Sequence, residues 1–373
     1  MERLPRRKTT ESDVCCCTEG SVLKELAGGQ RLLYVGDLAA GTTSRMRCTC
    51  LAELGFTVLE CATDAAKPNI VRKYAGKVAN RLRFPLDLAG ANATILRLAT
   101  SVDVLWLDKA NTVLPGTLRR ARSLNPKLKL IGYSPDDMSQ PHCSSRYFHA
   151  GLKWYDAFIT TKSFGVPELS ASGCRRVVFS PNAYDPATHQ PPADAVGCAK
   201  PIAVGFIGYF EAARCASIRR LCTAGIPVTA SGPGWPENRR LLPDNATCLP
   251  AALGIDYTRR IHDTLINLGF LRKMNRDLQT QRSVEIPACA GFMLAERTTE
   301  HLALFTEGLE ADYFDNDDEL VAKAMHHLSH PNECRLIGIR ALERCRRDRY
   351  SYRERLADAL RAIAVEPTSA DAR

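Results

Sequence analysis

Short runs of β-branched or aliphatic residues alternate along this chain with longer stretches whose apolar residues recur at helical spacing. The first runs are Arg31–Gly36, Phe56–Glu60, Val102–Leu107, Leu128–Tyr133, Ala157–Thr160 and Arg176–Phe179. Helical patterns lie between most of them. One is Thr43–Leu54, closed by Gly55 where a left-handed cap would sit; others are Pro115–Leu124 and Phe164–Ser172, the last followed by Gly173. Strand, helix, strand in this rhythm predicts a parallel sheet covered by helices on both faces. The rhythm then pauses. Asn182–Lys200 is rich in Pro, Ala, Asp and His and has no period, which reads as a linker. It restarts with Ile202–Ile207, Pro227–Ala230, Ala246–Leu249, Leu265–Leu268, Phe292–Ala295 and Ala311–Phe314. Three helical segments, Asp317–Leu328, Asn332–Arg347 and Tyr352–Ile363, close the chain.

The expected fold is therefore α/β, two doubly wound Rossmann-like domains facing across a cleft. The boundaries predicted are a disordered extension over 1–25, a first domain over 26–185, a linker over 186–200, a second domain over 201–350, and a helix and tail over 351–373. The length of 373 residues suits two domains. In such folds ligands bind at the C-terminal ends of the strands, which here line the cleft.

Charge and cysteine content narrow the function. Fifty Lys and Arg against 41 Asp and Glu leave a formal charge of +9. That suits an anionic ligand such as a nucleotide, or peripheral attachment to an acidic membrane surface. The basic residues are spread, with no dense run and no interleaved aromatics, so nucleic acid is not an expected partner. Fifteen cysteines suggest disulfides or zinc at first. No C-x-x-C pair exists, Cys15, Cys16 and Cys17 are adjacent, and most others stand singly in apolar stretches. They read as small core hydrophobes in a reducing compartment. Apolar runs fall short of the ~20 residues of a membrane span, and residues 1–20 lack the apolar core of a signal peptide. A cytoplasmic protein is expected.

The most informative stretch is Lys273 to Leu294. Glu285 opens a short helix, small residues follow, then Gly291 and a strand. A carboxylate there can accept both hydroxyls of a ribose. The amides near the helix start can face a diphosphate, and Lys273, Arg276 and Arg282 can neutralise it. The alternative is a solvated charged loop before an ordinary helix. Asn275 and Ala288 lie in the same stretch and are counted with it. Gly208, after a strand and before a helix, offers phosphate a close approach, with Arg214 on the following helix. A plain surface residue is an equal reading of Arg214. Gly36, Asp37 and Gly41 with Arg45 form the matching turn in the first half. Gly36-Asp-Leu-Ala-Ala-Gly41 is not a dinucleotide fingerprint, which disfavours a dehydrogenase; the turn reads as an acceptor-side loop. Asp136, Asp137 and His142 follow a strand end, where carboxylate and imidazole can move a proton to or from an acceptor hydroxyl. The competing reading is Pro-Asp-Asp turn chemistry. Asp315-Asn-Asp317 mimics a metal-binding D-x-D, but it reads better as a helix cap with acids in the first turn. No metal and no cofactor beyond a nucleotide-sugar substrate is expected.

Glu285-Ile-Pro-Ala-Cys-Ala-Gly-Phe292 resembles the donor-site segment of GT-B glycosyltransferases of the group 1 type, closest to the branch resembling the spore maturation protein CgeB. In that branch a segment like R-S-x-E-I-P-A-C-G-G-F-x-L-x-E-R-T recurs. This chain matches it at Arg282, Ser283, Glu285 to Cys289, Phe292, Leu294, Glu296, Arg297 and Thr298, and has Ala290 where the pattern has glycine. The similarity extends over Val204–Arg214, Leu304–Gly308, Glu319-Leu320 and Tyr350–Arg353. It is strong over 200–355 and weaker over 30–185. It implies transfer of a sugar from a nucleotide sugar, with Glu285 on the donor ribose. In the wider group a second glutamate lies eight residues earlier; here that position is Asp277. The resemblance does not name the acceptor. Two other readings fit the same plan: a sugar-nucleotide epimerase, and a catalytically silent sugar-binding or coat-associated protein.

Overall fold

A computed structural model of the chain describes residues 28–63, 70–192 and 200–364. The expected N-terminal extension, the Cys15–Cys17 cluster, most of the linker's second half and the C-terminal tail lie outside the described residues.

Among the described residues, twelve strands form two parallel sheets. The first holds β1 (Arg31–Gly36), β2 (Thr57–Ala62), β3 (Val104–Asp108), β4 (Lys129–Ser134), β5 (Ala157–Thr160) and β6 (Val177–Phe179), in the order β2-β1-β3-β4-β5-β6. The second holds β7 (Ile202–Ile207), β8 (Val228–Ser231), β9 (Ala246–Leu249), β10 (Thr264–Gly269), β11 (Met293–Glu296) and β12 (Asp312–Phe314), in the order β12-β11-β10-β7-β8-β9. Central strands such as β3 and β10 are buried along their whole length. That is the expected state of a strand with helices on both faces, and it explains why both lack the alternation of a half-exposed strand. The second sheet has the dinucleotide-fold order and the first the flavodoxin-like order. Their switch points fall between β7 and β10 and between β1 and β3. The crevices that open there are where such sheets bind ligands.

Local chemistry sets the helix ends. Thr42 accepts the Arg45 amide to start Thr43–Glu53. Asn316 accepts the amides of Asp318 and Glu319 to start Asp317–Ser329, while the Asp315 carboxylate takes Arg297. The D-x-D look-alike is thus a cap. Helix Arg282–Ala288 ends in a Schellman motif: the Gly291 amide reaches Ile286 O at 3.0 Å and the Ala290 amide reaches Pro287 O at 2.9 Å. Ala290 sits at φ +55°, a left-handed conformation that favours glycine.

The chain returns to the first sheet at its end. Helix Tyr352–Ala364 buries Tyr352, Leu356, Ala357 and Leu360 in one cluster with Leu32, Tyr34, Leu51, Leu54 and Trp106. Each large apolar side chain buried there contributes roughly 1.5–3 kcal/mol. The segment expected to be a linker is also packed where it is described. Tyr184 exchanges backbone hydrogen bonds with Tyr350 and Tyr352, and His189 is buried. Its lack of periodicity reflects an irregular crossing, not a loose one. The described cysteines are free and all but Cys248 buried; burial, with Glu60 nearby, pushes the Cys48 thiol up to about 12. Among the described residues no helix is long and apolar enough to cross a membrane.

Candidate functional site: a cleft between the two sheets

Two adjoining cavities of about 230 and 240 Å³ open where the strand ends of the two sheets face each other. Tyr209, Gln281 and Arg282 border both. One cavity is largely apolar. The turn before and first turns of helix Thr43–Glu53 border it with Gly41, Thr43 and Met46, and the second sheet with Gly208, Gly232, Pro233 and Ala251–Gly254. Glu285 and Tyr257 reach into it. The other cavity is polar and holds Asp136, Lys162, Arg214, Arg272, Asn275, Asp277 and Arg282. Small-molecule sites typically span a few hundred Å³.

Glu285 is 6 % exposed. The Tyr257 hydroxyl donates to its Oε2 at 2.6 Å. Burial, and then the Glu285 charge, push the Tyr257 phenol well above its ordinary range, so it stays a donor. Among the described residues Oε1 meets only His189 Nε2, at 3.7 Å. A carboxylate has about four acceptor sites, so Glu285 keeps capacity for hydroxyl donors from the cavity.

Arg214 is 4 % exposed. Its Nη1 donates to Tyr209 O at 3.1 Å, but Nε and Nη2 have no hydrogen-bond partner among the described residues. The Arg282 Nε is likewise unpartnered. Both guanidiniums flank the Phe206 ring, at 5.4 and 5.9 Å from its centroid. Burial first, then the Arg282 charge, lower the Arg214 guanidinium to about 10. One buried and one half-buried cation, each with spare buried N–H donors, stand side by side here. Lys162, Arg214, Arg272 and Arg282 line this cavity with Asp136 and Asp277, while Glu211 takes Arg272 at 3.0 Å and lies 3.4 Å from Arg214 at its edge. An anion would satisfy both the donors and the charge.

Other residues singled out in the sequence fall elsewhere. Gly208 borders the cavity, but its amide donates to Ser231 O at 2.8 Å and its carbonyl accepts from Trp235 Nε1 at 2.9 Å. Its smallness serves packing: a Cβ there would stand 2.7 Å from the Phe206 ring. Side chains, more than amides, therefore supply donors to an anion. The Thr280 amide is likewise taken by Ser283 Oγ at 2.9 Å. Lys273 pairs with Glu296 and borders neither cavity, and buried Ala288 borders neither. Arg276 binds Asp137 at 2.7 Å and Glu168 at 2.7 Å across the cleft, so it ties the two halves together instead of facing an anion. Gly36 packs against Ser44 and Tyr34, Asp37 caps the Ala39 amide, and Arg45 pairs with Glu60. The loop expected on the acceptor side does border the cleft, but through Gly41.

Asp136 and His142 meet through Asn275. The Asn275 Nδ2 donates to Asp136 Oδ1 at 3.2 Å, and its Oδ1 accepts from His142 Nε2 at 2.9 Å and Cys143 Sγ at 3.3 Å. Burial would raise the Asp136 carboxyl, but the Lys109 charge and hydrogen bond, with Lys162 and Arg272, hold it below its ordinary range. That makes Asp136 a weak base. His142 borders neither cavity. Neither is arranged as a poised proton acceptor; both position Asn275. Asp277 is paired with Lys162 at 2.6 Å, both side chains buried.

Periodicity and motif gave no sign of His189, Tyr257, Lys162 or Gln281. The first two stand in segments with no motif, and Lys162 follows β5 in a stretch with a single charge.

Comparison with known proteins places this architecture. Residues 213–361 match the protein-family model described as glycosyl transferase-like. The fold is similar to that of the HepE protein of Anabaena in complex with UDP and glucose (TM-score 0.60, 12 % identity, 89 % of this chain and 100 % of that one). It is also similar to sucrose-phosphate synthase of Thermosynechococcus elongatus (0.59, 13 %, 90 % and 99 %). A third is an alpha-glucosyltransferase in complex with UDP and a mismatched 13-mer DNA (0.62, 13 %, 91 % and 100 %). No curated protein matches in sequence. The fold is GT-B, and the second half of the chain carries a glycosyltransferase-type domain.

Proposed function

We propose that this chain is a glycosyltransferase that takes a sugar from a nucleotide sugar, with a uridine nucleotide the first to test. The carrying observation is the buried Arg214 guanidinium and the half-buried Arg282 guanidinium, each with unpartnered buried N–H groups, lining the polar cavity that adjoins the one Glu285 lines. The nucleoside lies in the apolar cavity with its ribose hydroxyls on Glu285. The diphosphate lies at Arg214 and Arg282. The sugar reaches the polar cavity near Asp277, Lys162 and Asn275, and the acceptor enters from the first sheet's side. Transfer forms a bond from the acceptor oxygen to the anomeric carbon and breaks the bond from that carbon to the diphosphate oxygen. The electron pair stays on the diphosphate, whose departing oxygen takes the proton released by the acceptor hydroxyl. Arg214 and Arg282 stabilise that charge with N–H donors already held in place before it develops. Lys109, Lys162, Arg214, Arg272 and Arg282 outnumber Asp136, Asp277 and Glu211 by two, enough to balance a doubly charged diphosphate, so transfer is proposed to need no metal. Domain roles divide as 26–185 for the acceptor and 201–350 for the donor, though helix Tyr352–Ala364 belongs with the first sheet. The Arg282-to-Thr298 segment supports membership of the CgeB-like branch, and buried free cysteines suit work in the cytoplasm.

Incubation of the full chain with a panel of nucleotide sugars, with and without glycan, lipid and small-molecule hydroxyl acceptors, tests this. Release of nucleoside diphosphate that rises with one acceptor is the expected result. A sugar isomerised without acceptor would make the chain an epimerase. Binding without turnover across the panel would make it a silent sugar-binding protein.

A further inference from the structure

The two helices that follow β12 meet at His330, far along the chain from Glu285 and Arg214. At this corner His326 and His327 end the first helix and Glu333 lies in the first turn of the second. One ligand atom from each lies within 4.8 Å of the other two. The His326 Nε2 and a Glu333 carboxylate oxygen stand 3.3 Å apart. Two ligands each 2.0–2.1 Å from one tetrahedral centre are separated by ~3.4 Å, so this pair already spans a tetrahedral edge.

His327 supplies the second, independent observation. Its side chain is buried, 3 % exposed, against the Phe292 ring. Its Nε2 stands 2.8 Å from Asp312 Oδ2. An ionised carboxylate only accepts, so Nε2 carries the hydrogen. The Nδ1 atom is buried and has no hydrogen-bond partner among the described residues. A buried imidazole whose one nitrogen is held by a carboxylate, with the other left open, is the arrangement of a metal-ligating histidine and its supporting acid. His330 stacks on His326, with centroids 4.3 Å apart, and its Nδ1 meets His326 O at 2.7 Å, which steadies the more exposed ligand. None of the three borders either cleft cavity.

We propose that His326, His327 and Glu333 form a binding site for a borderline divalent transition-metal ion, Zn2+ in particular, with solvent at the fourth position. Two imidazoles and one carboxylate are a donor set for zinc. Magnesium prefers six oxygen ligands and is not accommodated. The site departs from the expectation that the chain holds no metal, and it is separate from the transfer cleft. An ion there staples the two helices at their corner.

The test uses the full chain, stripped with chelator and desalted. Zn2+ is titrated calorimetrically into wild type and into the double variant His326→Ala/Glu333→Gln, with Mg2+ as control. Both substituted side chains are about half exposed, so the variant should melt like wild type in chelator. The expected result is one equivalent of Zn2+ bound by wild type, with affinity at least about tenfold weaker in the variant, and no Mg2+ binding there. Three results overturn the proposal: no saturable Zn2+ binding by wild type, binding by the variant within threefold of wild type, or Mg2+ competing as well as Zn2+. The second would put the ion elsewhere, for example on cysteine thiolates.

Discussion

Replacing Arg214 with methionine should separate binding from stability, with effects of opposite sign. Arg214 holds one protein hydrogen bond, to Tyr209 O, and sits 3.4 Å from Glu211, while Nε and Nη2 are buried without partners. Losing the Tyr209 bond costs about 1 kcal/mol, and removing unsatisfied buried donors returns about 1–3 kcal/mol. Methionine keeps most of the volume against Phe206. The free protein should therefore melt at the same temperature as wild type or slightly above it. Binding should suffer. Each charged hydrogen bond to phosphate contributes about 1.5–3 kcal/mol. Two such bonds, discounted for non-additivity, amount to about 3 kcal/mol, or roughly a hundredfold in Kd. The assay is calorimetric titration of UDP into both proteins beside their melting curves. Binding within threefold of wild type, or a loss of more than about 2 kcal/mol in folding stability, would show Arg214 to be structural and would refute the placement of the diphosphate.

Three other predictions follow from the same geometry. Lys162→Met leaves Asp277 buried and unpaired, so it should cost about 3 kcal/mol in urea unfolding, and Lys162→Met/Asp277→Leu should recover most of that; a neutral single variant contradicts the pair's importance. Ala290→Gly relieves a left-handed alanine that costs roughly 1–2 kcal/mol, partly offset by the flexibility glycine adds to the unfolded chain. It should raise stability by about 0.5 kcal/mol, and a drop in melting temperature would count against the assigned backbone. Hydrogen bonds from Arg276 and then Ser139 hold the Glu168 carboxyl down to about 2, below its unfolded value near 4.3. A depressed acid stabilises the fold above its unfolded pKa and loses that contribution as pH falls toward its folded one. The stability difference between wild type and Glu168→Gln should shrink from pH 5 to pH 2; a constant difference contradicts this.

Much of the fold was legible because buried parallel strands leave a plain mark. Val104–Asp108 and Thr264–Gly269 are buried throughout and mostly apolar since helices cover both faces, and all twelve expected runs correspond to strands within two residues. The return of Tyr352–Ala364 to the first sheet was not legible. Its amphipathic pattern says that one face is buried, not which sheet buries it. The site divides the same way. Glu285 stood out because a helix opening, a proline and small residues lie together in a matching motif. His189 and Tyr257 approach it from segments distant in sequence and without period. Arg276 and Lys273 looked like anion ligands because charge is visible in a sequence and ion pairing across a cleft is not. Arg276 is consumed by Asp137 and Glu168. Arg214, for which the sequence left a donor contact and a plain surface position equally open, is the buried one.

The central claim is that the cleft holds a nucleoside diphosphate with its ribose on Glu285, and titration of UDP into wild type, Glu285→Gln and Glu285→Ala tests it most directly. A carboxylate accepting hydroxyl hydrogen bonds contributes roughly 1.5–3 kcal/mol. The account predicts saturable binding by wild type, weaker by about one to two orders of magnitude in Glu285→Ala and by less in Glu285→Gln, with melting curves that show all three folded. Equal affinity in wild type and a folded Glu285→Ala would contradict it.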